Sequence, residues 1–87
     1  MRHAGRDGLD RIEPFLQQLR TLPGLVERKR GIFYRKSKAF LHFHEDPSGL
    51  HADVKLTEDF ERFRVETEEE RNALLARIQE AGPRQLP

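Results

Sequence analysis

The sequence has no cysteine and no tryptophan, only one methionine, and no apolar run longer than a few residues. Without cysteine there are no disulfides, thiolate nucleophiles or thiolate metal ligands, and a reducing compartment is favoured, so we expect a cytoplasmic protein. The apolar runs are far shorter than the roughly 20 residues of a membrane span, and we expect no membrane segment. Charged residues make up 36% of the chain with a net charge of +1, so the overall charge points to no nucleic-acid or acidic partner.

The length of 87 residues is enough for one domain with a thin core. We expect this domain to span residues 9–82. Residues 1–8 contain two glycines and no periodic pattern, and they predict a flexible N-terminal tail. Residues 83–87 predict a C-terminal tail.

Apolar residues recur at three- and four-residue spacing near the start of the chain. This spacing predicts an amphipathic helix that begins around residues 10–13 and ends at Pro23. Asp10 and Glu13 resemble a capping pair at its start.

A second helix is predicted near the end of the chain. Thr67 followed three residues later by Glu70 matches a capping box, and apolar residues follow at helical spacing. Gly82 and Pro83 are expected to end this helix.

Between the two helices, β-favouring residues alternate with polar ones, and turn residues separate the segments. The predicted strands cover residues 25–28, 32–35, 39–45, 50–56 and 60–65. Connections this short join antiparallel neighbours. We therefore predict an α+β two-layer sandwich, in which an antiparallel β-meander of four or five strands carries an N-terminal and a C-terminal helix on one face and leaves the other face open.

One predicted hairpin, FLHFHEDPSGLHADVKL, carries three of the four histidines. A four-residue turn at residues 46–49 places His44 opposite His51 and His42 opposite Asp53. Side-chain alternation then predicts a ligand-binding set on the open face, made of His42, His44, His51, Asp53 and Lys55. Opposite β-carbons lie about 4.5–5.5 Å apart, so imidazoles and a carboxylate could converge on one ion.

The candidate metal ligands in this set are His42, His44, His51 and Asp53. Imidazole suits divalent transition metals such as zinc, and a carboxylate adds negative charge. A metal-binding protein or a metal-dependent hydrolase would both use such a set. The alternative is that these residues only form polar cross-strand pairs, in which Asp53 would raise the pKa of His42.

A second candidate surface lies in the segment ERKRGIFYRKSK, where cations are mixed with aromatic residues. The candidate nucleic-acid contacts are Arg28, Lys29, Arg30, Tyr34, Arg35, Lys36 and Lys38. Single-stranded nucleic acid is often held by phosphate contacts and base stacking on such a sheet. The alternative is a pair of amphipathic strands whose cations protect the sheet edge from aggregation.

Three stretches, LPGL, FLHFHEDPSGLHADVKL and FRVETEEERNALLARI, resemble in order and spacing a small bacterial luciferase-like domain family. The resemblance implies that His42, His44 and Asp53 occupy family-type positions, but it implies no reaction, and the family label does not establish light emission. A looser similarity is to YjbR-type α+β proteins, in which helices cover one side of an antiparallel sheet.

From these observations we expect a small cytoplasmic bacterial binding or interaction domain rather than an enzyme, acting through the open face of its sheet. The alternatives are metal binding or metal-dependent hydrolysis, and single-stranded nucleic-acid binding. A sandwich covered on one side gains stability by burying the other, so we also expect a homodimer.

Overall fold

Six strands and three helices follow one another along residues 2–85, the part of the chain that the computed structural model describes. They are β1 (Arg2–His3), α1 (Arg6–Arg11), α2 (Glu13–Arg20), β2 (Leu25–Lys29), β3 (Ile32–Arg35), β4 (Lys38–Asp46), β5 (Gly49–Val54), β6 (Glu61–Arg64) and α3 (Glu68–Gln85). Strands β2 to β6 lie side by side in chain order, each antiparallel to its neighbour, and β1 pairs with β4. The predicted α+β fold with an antiparallel meander is confirmed.

The helices pack against one face of the sheet. Leu41 lies opposite Val54 and Phe43 opposite Ala52 in the β4–β5 ladder, and all four are at most 2% exposed. Buried apolar side chains of the helical layer complete the same cluster: Ile12, Phe15, Leu16, Leu19, Leu74 and Ile78. Apolar burial therefore fixes which face of the hairpin meets the helices and which face carries the histidines.

The predicted N-terminal helix is divided into two helices. They meet at Ile12, whose φ of −113° and ψ of 19° lie outside the helical region. Helix α2 then begins at Glu13 with Pro14 in its first turn, where proline is well tolerated. The expected capping pair is wrong, because Asp10 and Glu13 both accept hydrogen bonds from Arg30 instead.

The predicted capping box of α3 is present. The Glu70 amide donates to the Thr67 hydroxyl at 3.1 Å, and the Thr67 amide donates to the Glu70 carboxylate at 3.0 Å. The helix continues beyond Gly82 and Pro83 to Gln85, although these two residues are poor helix formers. The tail expected at residues 83–87 is therefore partly helical, and residues 86–87 lie outside the described part.

None of the helices within residues 2–85 has the length and apolarity to cross a membrane.

The N-terminal tail expected at residues 1–8 is also a wrong prediction. Strand β1 pairs with β4, with His3 opposite His44, and the Ala4 amide donates to a backbone carbonyl of β4 at 3.1 Å. Helix α1 then begins at residue 6. The two residues of β1 are too few to carry a periodic signal, and Met1 lies outside the described residues.

Candidate functional site

The β4–β5 hairpin has the predicted register. His44 lies opposite His51, and His42 lies opposite Asp53. The turn between the strands is closed by Asp46, whose Oδ1 accepts from the backbone amide two residues further on at 2.8 Å. Loop length and a turn-forming aspartate were therefore enough to predict which residues share a face.

The sheet face opposite the helices, here called the histidine face, includes these polar residues: His3, His42, His44, His51, Asp53 and Arg62. It is less open than expected. Asp53 is 8% exposed, and the side chains of His44 and His51 are 14% and 13% exposed. The Phe60 ring lies over the face, with its centroid 5.3 Å from that of His42. Polar atoms shielded from water in this way need partners.

Three imidazoles on this face form a close group, here called the histidine cluster: His3, His42 and His44. The ring centroids of His42 and His44 are 4.8 Å apart, and those of His3 and His44 are 4.9 Å apart in a stacked arrangement. One nitrogen from each of the three rings lies within 4.8 Å of the other two. The sequence-based prediction missed His3, because only the pairing of β1 with β4 brings it to the site.

The structure places two of the predicted ligands outside this cluster. His51 faces Asp46, with 4.0 Å between Nδ1 and Oδ1. Asp53 accepts two hydrogen bonds from Arg62, from Nε to Oδ1 at 2.7 Å and from Nη2 to Oδ2 at 2.9 Å. These hydrogen bonds lower the pKa of Asp53. Asp53 Oδ2 also lies 3.0 Å from His44 Nε2, which places this carboxylate directly beside the cluster.

Three buried imidazole nitrogens on the histidine face make no hydrogen bond within the described part of the chain: His42 Nδ1, His44 Nε2 and His51 Nδ1. The contact of His44 with Asp53 is close, but it lacks hydrogen-bond geometry. A buried polar atom without a partner costs about 1–3 kcal/mol, and native proteins contain few of them. His42 Nδ1 belongs to the histidine cluster, and its electron pair is available to a ligand.

The pKa of His42 is lowered, whereas the sequence-based prediction was a rise caused by Asp53. Burial disfavours the imidazolium most strongly, and the neighbouring His44 disfavours it further. Attraction to Asp53 does not compensate for these effects, because Arg62 already pairs with that carboxylate. The lowered pKa favours the neutral imidazole, the form that binds metals.

Lys55 follows the end of β5, where its backbone amide donates to the carbonyl of Phe40 at 2.8 Å. Its Nζ lies 6.0 Å from the ring centroid of Phe60. Lys55 therefore lies at the margin of the histidine face, beside the ring that covers His42.

The residues predicted to contact nucleic acid differ in their surroundings. Arg30 donates to an acid of α1 and an acid of α2 at 2.7 Å each. Arg35 is only 9% exposed. Arg28 lies over one face of the Tyr34 ring, 4.9 Å from its centroid. The exposed cations are Arg28, Lys29, Arg30, Lys36 and Lys38.

Comparison of the chain with protein-family models, with curated proteins and with solved structures found no match. The resemblance to the luciferase-like family stays a prediction. The candidate site therefore rests on the geometry of the histidine face.

Proposed function

We propose that this chain is a small binding domain that holds one divalent transition metal ion, of which zinc fits best, through His3, His42 and His44. The observation that carries the proposal is the convergence of three imidazoles, with one nitrogen of each ring within 4.8 Å of the others. The buried Nδ1 of His42 adds to it, since an ion would use an electron pair for which the described residues offer no hydrogen bond.

The spacing of the three nitrogens suits zinc after small side-chain rotations. Zinc–nitrogen bonds of about 2.0–2.1 Å in a tetrahedral site place two ligand nitrogens about 3.3 Å apart. Nitrogens within 4.8 Å of one another must therefore approach by at most about 1.5 Å. An all-imidazole set favours zinc, cobalt or nickel over magnesium and calcium, which prefer oxygen ligands.

The surroundings of the cluster also suit a metal. The lowered pKa of His42 favours its neutral form, so less proton release accompanies metal binding. Asp53 lies 3.0 Å from His44 Nε2 and is itself held by Arg62. A carboxylate beside a metal-bound imidazole orients the ring and raises its basicity, and loss of such a group lowers metal affinity.

Metal binding is favoured over metal-dependent hydrolysis. A zinc ion with three protein ligands has a fourth position for water and can lower the pKa of that water toward 7. Hydrolysis also needs a general base, and the carboxylate nearest the cluster, Asp53, has both oxygens bonded to Arg62.

The test is a zinc titration of protein purified without an affinity tag, followed by cobalt substitution to report the coordination geometry. We expect one equivalent to bind, with tetrahedral cobalt bands. His44→Ala should weaken zinc binding on the order of 100-fold, because it removes one of three ligands. His51→Ala is the matched control, since His51 is equally buried on the same face but faces Asp46, and it should retain the affinity. Less than a tenth of an equivalent bound, or equal losses in the two variants, contradicts the proposal.

The expected homodimer stays a prediction. Two large apolar side chains are markedly exposed, Val26 at 56% and Phe60 at 44%, and Phe60 lies on the histidine face. Light scattering at high micromolar concentration should return the mass of two chains, and a monomer mass would count against self-association.

A further inference from the structure

We infer that the bound metal ion fastens strand β1 to the sheet, so that metal binding decides whether the β1 side of β4 is covered. The inference rests on the proposed metal site, and it goes further by assigning that site a structural consequence. It follows from the fact that the ligands come from two different strands: β1 contributes His3, whereas β4 contributes His42 and His44.

Strand β1 is short. It contains two residues, and its ladder with β4 pairs Arg2 with Glu45 and His3 with His44. The adjoining Ala4 amide donates to the carbonyl of Phe43 at 3.1 Å. The His3 side chain is exposed, so burial of apolar area contributes little to its docking. Such short, exposed segments open with a low free energy.

The chain that follows β1 is anchored more firmly. Leu9 and Ile12 belong to the core, and the Gly5 amide donates to the Glu45 carboxylate at 3.2 Å. Release of β1 therefore leaves the rest of the fold in place. The mobile unit is limited to the two residues of β1 and the amide of Ala4.

Without an ion, docking of β1 brings a third imidazole against His44 and against His42, whose buried Nδ1 makes no hydrogen bond within the described part of the chain. Release of His3 would give water access to this nitrogen. With an ion, the same three rings are joined by coordinate bonds that cross from β1 to β4. The ion therefore favours the docked state over the released state and shifts the population between them.

The consequence concerns the backbone edge of β4. Along residues 38–42 this edge is paired with β3, and along residues 44–45 it is paired only with β1. Release of β1 would free backbone donors and acceptors at that edge. The metal-loaded protein closes this edge.

The test is amide hydrogen exchange of the full chain, measured by NMR with and without one equivalent of zinc. We expect zinc to slow exchange of the Ala4 amide at least about tenfold and to leave unchanged the exchange of the Ser48 amide, which is bonded to Asp46 within the β4–β5 turn and opens locally. His3→Ala should abolish the effect of zinc on Ala4, whereas His51→Ala should keep it.

The outcomes separate this inference from the proposed function. If zinc binds at one equivalent but exchange of Ala4 is unchanged, the metal site stands and the fastening of β1 is overturned. If Ala4 is protected equally in His3→Ala, the fastening through His3 is also overturned. If zinc does not bind, both the proposed function and this inference fail.

Discussion

The two sides of the sheet carry polar networks that differ in how completely their atoms are paired. On the helix side, Arg20 joins Glu13 and Glu27, and Arg30 joins Glu13 and Asp10, so guanidinium groups and carboxylates satisfy one another. On the histidine face, three buried nitrogens lack hydrogen bonds to any described residue. The first network is paired throughout, whereas the second leaves nitrogens without hydrogen bonds, and for this reason we propose that the function lies there.

The largest expected effect is the stabilisation of the histidine face by zinc. At a free zinc concentration of 100 times its Kd, the free energy of unfolding should rise by about 2.7 kcal/mol, because only the folded chain brings the three ligands together. Urea denaturation with zinc and then with a chelator measures the difference. The triple variant His3→Ala, His42→Ala, His44→Ala should show no zinc effect, and magnesium should have none on the wild type. A rise of equal size in the triple variant would place zinc elsewhere on the chain.

A smaller effect is expected from the residue that holds Asp53. Arg62→Met removes the two hydrogen bonds that orient this carboxylate beside His44, and it should weaken zinc binding by about tenfold. Arg62→Lys keeps the charge but not the paired geometry, and it should recover only part of the affinity. Competition titration with a zinc indicator measures both. Unchanged affinity in Arg62→Met would show that Asp53 does not support the site.

Replacement of an unpartnered imidazole by an apolar side chain should stabilise the metal-free protein. His42→Leu removes the buried Nδ1, which has no hydrogen bond within the described chain, and it should raise the free energy of unfolding by about 1 kcal/mol in the presence of a chelator. The same variant should lose most of the zinc-dependent stabilisation. Destabilisation without metal would mean that His42 is already satisfied, and it would weaken the contrast between the two networks.

The smallest expected effect lies in the paired network and depends on pH. Hydrogen bonds from Arg20 and Arg30 lower the pKa of Glu13 from 4.5 to about 2. A carboxyl with a depressed folded pKa stabilises the fold above its unfolded value, and this contribution is lost as pH falls from about 4.5 toward 2. Wild type should therefore lose more stability than Glu13→Gln when the pH falls from about 5 to about 3. Equal losses in urea denaturation at the two pH values would show that the ion pairs contribute nothing measurable.

The parts of the structure that sequence reasoning predicted are held by local signals. The turn closed by Asp46 sets the pairing of His44 with His51, and the reciprocal bonds of Thr67 and Glu70 mark the start of α3. Each signal acts within a few residues, so its geometry can be read directly from spacing.

The composition of the histidine cluster was not predictable in this way. His3 joins His42 and His44 only because β1 pairs with β4. Asp53 was expected to pair with His42, but Arg62 on β6 binds it instead. Both outcomes depend on neighbouring strands that a single hairpin register does not include.

The sequence by itself determined the antiparallel meander, the register of the β4–β5 hairpin and the face on which its histidines lie, because turn length and apolar alternation specify these features locally. Only the tertiary structure decided which imidazoles meet. The contact between Gly5 and Glu45, 40 residues apart, shows the range over which the start of the chain is brought to β4. Pairing at that distance depends on backbone hydrogen bonds, which are common to nearly all residue types and therefore leave no pattern in the sequence.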